Sequence, residues 1–424
     1  MIRCVAALAL TVPALLVATT PADAAGPATC GGHRVTIDLD DAHHPDPNRA
    51  RSDVVLGTTK ADKITTGRGN DIVCGGRGHD LIDLGPGDDT AYGGKGGAVL
   101  NGGPGDDRLV GDPRTYNTAA DFRLAPRGVR VDLRRTVPQE TGWGRDSFTG
   151  IANVLGSAHD DVLRTRVLSG PTDSWRRHAL LSGGAGDDRL FGSRASNRFL
   201  GGPGDDVMRG GGGSDRFDEY LSEENGGADT VYGGSGPDIL EAANAGDHYE
   251  GGAGDDELTS AECRPTCEEG LVELYGGPGD DQFTLDENDE LVDGGDGVDQ
   301  VEDNFYTDAE GAVLTVDLAI VGPQDTGVGG TDDLSSIEDL IGNAYFDSHL
   351  FGNDDANTLV SYGNNDVLEG RGGDDVLEAG SGDDSLSGGD GSDSCDGSYG
   401  TDQFTDCEEI LDSRGSGDKV PVSR

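Results

Sequence analysis

The chain has 424 residues, including 72 glycines, and its 31 basic and 81 acidic residues give a formal net charge of −50. Such acidity argues against nucleic acid as a partner, because phosphate contact needs a basic face. Glycine at this frequency is costly inside helices, and an apolar share of 33% leaves only a thin core.

Residues 1–24 read as a secretory signal peptide. Arg3 is followed by an almost wholly apolar run from Val5 to Val17, and Ala22-Asp23-Ala24 supplies the small-x-small cleavage pattern. The run is short for a membrane span, so no span is expected and the destination is extracellular. Cys4 departs with the signal and leaves six cysteines, an even number that suits an oxidising compartment. Six thiols allow fifteen connectivities, among which proximity favours Cys30–Cys74, Cys263–Cys267 and Cys395–Cys407. No Cys-x-x-Cys pairs occur, which disfavours zinc.

Residues 25–56 form an N-terminal strand segment, with short strands at Val35–Leu39 and Val54–Leu56 around a loop holding Pro45 and Pro47. His43 and His44, near Asp41 and Asp46, are the one catalytic-looking cluster and read as an exposed loop. From Gly57 a nine-residue word takes over, with Gly at its second and fourth places, Asp at its sixth and an apolar residue at its eighth. It occurs thirteen times, for instance at 102–110, 183–191 and 388–396, and copies from Gly57 to Asp218 keep one phase. The first array spans 57–110, the second 156–218, the third 219–302 and the fourth 342–411. Two strand-rich inserts, 111–155 and 303–341, are duplicates. Val131-Asp-Leu133, Pro138-Gln-Glu-Thr141 and Ile151 to Gly156 recur as Val316-Asp-Leu318, Pro323-Gln-Asp-Thr326 and Ile337 to Gly342. Residues 412–424 read as a disordered tail.

The eighth place holds Val73, Ile82, Leu109, Leu190, Met208, Leu240, Leu258, Val301 and Leu386. That periodicity argues for a solenoid rather than for an acidic disordered chain. The glycines permit positive φ and bare carbonyls, and the Asp turns a carboxylate toward them. One word then makes a turn and a strand, and two make a coil, so turns on one side lie two words apart. Their donors are all hard oxygens, which suit Ca²⁺.

The tandem word resembles the hemolysin-type calcium-binding (RTX) repeat family. The resemblance implies an all-β fold, a right-handed parallel β-roll or β-solenoid, whose sixth-place carboxylates bind calcium. Carried over position by position, the ligands are Asp71, Asp80, Asp89, Asp107, Asp188, Asp206, Asp215, Asp238, Asp256, Asp281, Asp299, Asp375, Asp384, Asp393 and Asp402. Ala98 and Asn197 replace the Asp, and Glu290 lies in a word without its glycines. Intact partners two words apart number about seven, hence about seven Ca²⁺ ions, with folding coupled to calcium. No His-Glu-x-x-His or Gly-x-Ser-x-Gly motif is present, so no catalytic residue and no enzyme activity is expected. The leading expectation is a secreted, non-catalytic scaffold or adhesin-like protein. A calcium-stabilised secreted hydrolase or toxin-like protein is one alternative. A glycan- or surface-binding solenoid, with the two inserts as its recognition face, is another. The oligomeric state stays open.

Overall fold

The computed structural model describes residues 28–41, 50–114, 117–167, 178–218, 226–242, 244–260, 271–286, 289–303, 311–327 and 329–411. The signal peptide, the His43-His44 loop, the Cys263–Cys267 pairing and the tail from residue 412 lie outside them. Every regular element among the described residues is a strand. Each word contributes one short strand at its seventh to ninth places, and alternate words feed opposite faces of a flattened coil.

One face is a ladder of 17 strands that begins at Lys63–Thr65, Asp80–Asp83 and Ala98–Asn101 and ends at Ser394–Asp396 and Glu409–Leu411. Its pairings are parallel and in register, as in Lys63↔Leu81, Leu81↔Val99 and Val99↔Ala119. The strand order can be drawn as a ring, but no hydrogen-bonded pairing joins Glu409–Leu411 to Lys63–Thr65 among the described residues. Those strands lie at opposite ends of the stack, and the ladder is open.

The opposite face begins as a seven-stranded sheet from Ile37–Asp38 to Gln139–Glu140 and resumes as a fifteen-stranded sheet from Arg130–Asp132 to Gln403–Thr405. Both inserts break the parallel order of this face in the same way. In the first, Arg108–Gly111 pairs in parallel with Arg145–Thr149, which pairs antiparallel with Gln139–Glu140. Arg130–Asp132 follows and hands on in parallel to Val162–Arg164. In the second, Glu290–Asp296, Gly330–Ser335, Gln324–Gly327, Val313–Asp317 and Asp347–Phe351 repeat that order.

The duplicated Pro-Gln-x-Thr block explains how an inverted strand joins the ladder. Gln139 Oε1 accepts the Asp132 N–H at 2.9 Å while its amide donates to the Asp132 carbonyl at 3.0 Å. Gln324 does the same with Asp317 at 2.8 and 3.2 Å. Each glutamine thus stands in for a backbone rung. The threonines act two residues later: Thr141 Oγ1 donates to Asp146 Oδ2 at 2.6 Å and Thr326 Oγ1 to Asp332 Oδ2 at 2.9 Å. All four acceptor and donor residues are buried. Thr141→Val keeps the shape but strands Asp146 Oδ2, so a loss of about 1–3 kcal/mol is expected in urea unfolding at fixed calcium.

The core is a single file between the sheets. Val55, Val73, Ala91 and Leu109 line one face, and Ile64, Ile82 and Leu100 the other, all 2% exposed or less. Further along, Phe199 and Phe217 stack with centroids 4.5 Å apart. The ends are stapled: Cys30–Cys74 ties the Thr29–Cys30/His33–Arg34 hairpin to the first coils, and Cys395–Cys407 ties Ser394–Asp396 to the segment just before the last strand, Glu409–Leu411. A terminal coil has no neighbour on one side, so such covalent closure guards its open edge.

Candidate metal sites in the turns

The word at 75–83 shows the geometry. Gly76 and Gly78 adopt φ of +103° and +108°, a backbone bend that side-chain-bearing residues resist. The bend brings Asp80 beneath the turn, where it is fully buried. Its Oδ1 accepts the Asp62 N–H at 3.0 Å, and its Oδ2 has no hydrogen-bond partner. A Cβ placed on Gly75 would strike Asp80 Oδ2 and come within 2.8 Å of the Gly93 carbonyl oxygen. The free carboxylate oxygen and the carbonyl of the turn two words on therefore face one small space.

The same space recurs. A Cβ on Gly183, Gly210, Gly233, Gly276 or Gly370 would meet Oδ2 of Asp188, Asp215, Asp238, Asp281 or Asp375 respectively. In each case it would also meet the first-place carbonyl of the word two places on. Those five Oδ2 atoms are likewise buried without a hydrogen-bond partner.

All fifteen sequence-derived carboxylates occupy this position. Asp71, Asp80, Asp89, Asp107, Asp188, Asp206, Asp215, Asp238, Asp256, Asp281, Asp299, Asp375, Asp384 and Asp393 are 3% exposed or less. Asp402, at the last coil, is half-buried. Each accepts through Oδ1 a backbone N–H from the preceding coil, at 2.6–3.3 Å. Two of their turns lack the second-place glycine, yet Arg371 and Ser398 hold φ of +76° and +51° there. The turn shape is kept at a conformational cost.

Burial makes these carboxylates hard to ionise. Desolvation, reinforced by neighbouring Asp charges, pushes Asp107, Asp188 and Asp215 up to about 8. Asp89 and Asp256 rise to about 7 on the same grounds, and desolvation alone takes Asp238 there. A buried anion this poorly compensated calls for a proton or a cation. A divalent cation between Oδ2 and the glycine carbonyls would supply the missing partner, and the donors present are all oxygen. Among the described residues, no three His, Cys, Asp or Glu side chains form a ready-made metal cage. Only one carboxylate per turn, the sixth-place Asp, faces this space, which leaves backbone carbonyls as its other oxygen donors.

Sequence reasoning missed several residues that play the same structural part. Asp53, Asp62, Asp161, Asp229, Asp247 and Asp366 stand at sixth places in words lacking the full glycine pattern. Asp71, Asp188 and Asp384 receive the N–H groups of Asp53, Asp161 and Asp366. The in-phase apolar eighth places, Val55, Ile64, Leu163, Val231, Tyr249 and Leu368, were the available signal. Some of these turns satisfy the carboxylate internally. Asp62 Oδ2 accepts the Thr58 N–H at 2.6 Å, and Asp161 Oδ2 accepts the Ser157 N–H at 2.5 Å. At Asn197 and Asn357 the side-chain oxygen accepts the Ser193 and Asn353 N–H groups in the same way. In these four turns a second-place Thr, Ser or Asn closes the turn on itself, whereas a second-place glycine, or Arg371 beside Asp375, leaves the oxygen free.

The fifth place was also overlooked. Its side chains reach forward along the stack and accept the N–H of the fifth residue two words on, as Asp88 does from Asp106 and Asp187 from Asp205, at 3.0 and 3.2 Å. The sixth-place carboxylates reach backward. Each Asp-Asp pair therefore ties its turn to both neighbouring coils, which is the structural use of the repeated dipeptide.

Where the second insert meets the array, the word 285–293 has Asp286 and Asn288 in place of the glycines and Glu290 in place of the Asp. Glu290 Oε1 accepts from Ser260 Oγ at 3.1 Å, and the Asp286 and Asp332 carboxyls press on it, with Asp303 beside Asp332. Desolvation first, then Asp332 and Asp286, push Glu290 up to about 11, and Asp303 is raised by desolvation and then by the Asp332 and Glu302 charges. The raised groups favour the fold fully below the ordinary carboxylate range, and that benefit is lost as pH rises from about 4.5 into the alkaline range. In Glu290→Gln the amide keeps the Ser260 bond and donates to its acidic neighbours without a proton. The variant is expected to gain about 2 kcal/mol at pH 8 and none at pH 4, read from urea unfolding across pH.

The two faces, the glycine turns and the free carboxylate oxygens define a parallel β-roll of calcium-repeat type. The RTX calcium-binding nonapeptide repeat model (four copies) matches residues 49–82, 83–113, 182–217, 225–258, 273–301, 341–377, 351–384 and 369–404, more than half of the chain. The chain belongs to this family of hemolysin-type calcium-binding repeats, and calcium is the ion its repeats bind. No curated protein matches the chain.

Proposed function

We propose that the protein is a secreted, non-catalytic extracellular scaffold whose β-roll folds around about seven calcium ions. The observation that carries the reading is the recurrent pairing of a buried, unpartnered sixth-place Oδ2 with a glycine carbonyl two words away. The fifteen sixth-place Asp residues named from the sequence are the carboxylate ligands in this reading, and backbone carbonyls of the facing turns, glycine's in the six turns described above, complete the sites. The disulfides at both ends of the roll support an oxidising compartment. No helix among the described residues is long and apolar enough to cross a membrane.

The test counts ions. Equilibrium dialysis against calcium at about ten times a Kd of ~10⁻⁴–10⁻³ M is expected to load about seven ions, and Asp188→Asn fewer. A count of one or two, or uptake indifferent to Asp188→Asn, contradicts the reading. Assays of the calcium-loaded protein on peptide, ester and polysaccharide substrates are expected to be silent; turnover of any of them replaces the scaffold with the hydrolase alternative.

A further inference from the structure

The chain's charge is unevenly spread. Residues 123–216 contain 15 of the 31 Lys and Arg residues against 11 acids, while only five basic residues follow Arg216. The roll brings four of these arginines together on one surface. Arg130–Asp132, Val162–Arg164, Arg189–Phe191 and Val207–Arg209 are four consecutive parallel strands of the fifteen-stranded sheet, followed by Thr230–Ser235. Their middle residues, Val131, Leu163, Leu190, Met208 and Val231, point into the core, so the flanking residues face outward.

Two outward rows result. One reads Arg130, Val162, Arg189, Val207, Thr230, and the other Asp132, Arg164, Phe191, Arg209, Tyr232. Each of the four strands contributes one arginine, alternately from either row. Strands lie about 4.8 Å apart, so the guanidinium groups zigzag along roughly 14 Å of flat sheet. Arg164 lies over the Phe191 ring at 3.7 Å and Arg209 over the Tyr232 ring at 4.1 Å, which holds both planes against the surface.

These arginines are also unspent. Arg123, Arg134, Arg198, Arg216 and Arg371 all pair with carboxylates. Arg130, Arg164, Arg189 and Arg209 have no carboxylate within ion-pair distance among the described residues, although the chain holds 81 acids. Acids on this surface begin again beyond Tyr232, at Glu250 and Glu273, where both contact His248.

We infer that this stripe is a docking surface for a linear acidic polysaccharide with one anionic group per sugar. Charges that alternate at strand spacing match an extended chain whose anionic groups alternate between its edges. The half-buried Phe191 and Tyr232 rings beside them add apolar surface for the apolar faces of sugars. The stripe lies mainly on the second array, so recognition is carried by the roll rather than by the inserts. The proposal needs from the scaffold reading only that the roll is folded with calcium.

The probe is chondroitin sulfate, added to the calcium-loaded full chain and followed calorimetrically, with dextran, single-stranded poly(dT) and sedimentation of the protein alone as comparisons. Binding is expected for chondroitin sulfate and not dextran, weakening with added salt. Arg164→Ser/Arg209→Ser is expected to weaken it at least tenfold, and Arg189→Ser alone, which disturbs no ring contact, by a few-fold. Arg123→Ser, after strand Thr118–Asp121 of the other sheet, should leave it unchanged. Circular dichroism of each variant in calcium separates loss of fold from loss of binding. Absent binding, or binding indifferent to the three stripe arginines, overturns the proposal. So does tighter arginine-dependent binding of poly(dT), or self-association abolished by the stripe variants without polysaccharide binding.

Discussion

Removal of calcium is expected to unfold the roll: in excess chelator the β-sheet circular-dichroism signal is lost, and it returns cooperatively as calcium is restored. The reason is energetic. With free calcium about ten times Kd, each site contributes about 1.4 kcal/mol, so seven contribute on the order of 10 kcal/mol. That equals a typical domain's whole net stability, about 5–15 kcal/mol. The core cannot replace it, because each strand buries little more than one side chain, such as Val73 or Leu240. Without the ion, each free Oδ2 also remains buried, and Asp107, Asp188 and Asp215 must hold protons to avoid burying bare charge. Magnesium is expected to rescue poorly, since it prefers a small octahedral shell to flexible carbonyl loops. A full β-sheet spectrum in chelator, unchanged by calcium, contradicts this coupling.

The largest single-residue effect is expected from Gly183→Ala. Gly183 is not one of the positive-φ glycines, so backbone strain is not the issue. The added Cβ falls on Asp188 Oδ2 and within 2.8 Å of the Gly201 carbonyl oxygen. Asp188 cannot swing aside freely, because its Oδ1 holds the Asp161 N–H at 2.7 Å. One methyl group therefore occupies the place of an ion. The loss combines one calcium term with an overpacking cost of about 1–3 kcal/mol, about 2–4 kcal/mol in all. Urea unfolding at fixed calcium reads the destabilisation, and dialysis reads one ion fewer. An unchanged ion count would place calcium elsewhere in the turn.

Much of this architecture was legible because a nine-residue period leaves few ways to bury the eighth place. Every apolar residue read as inward from the period, from Val73 to Leu386, is buried. The paired cysteines Cys30–Cys74 and Cys395–Cys407 followed from nearness to the terminal coils. Other features depended on three-dimensional neighbours and were not legible. The glycine-centred motif passed over Asp62 and Asp161, whose turns carry Thr58 and Ser157 instead. The duplication of Pro-Gln-x-Thr was visible, but not that Gln139 and Gln324 replace a backbone rung for an inverted strand. Net charge concealed the arginine stripe, since it averages over residues that the roll segregates. Arg130, Arg164, Arg189 and Arg209 become one surface only when strands far apart in sequence are stacked in register.

The central claim is that calcium sits between a sixth-place Oδ2 and the glycine carbonyl of the turn two words on. The most direct measurement is an anomalous difference map from crystals of the calcium-loaded protein. Peaks are predicted beside Asp80 and Gly93, Asp188 and Gly201, Asp238 and Gly251, and Asp281 and Gly294. Peaks confined to the outer fifth-place carboxylates, such as Asp106 and Asp187, or an absence of peaks in the turns of a folded protein, would contradict it.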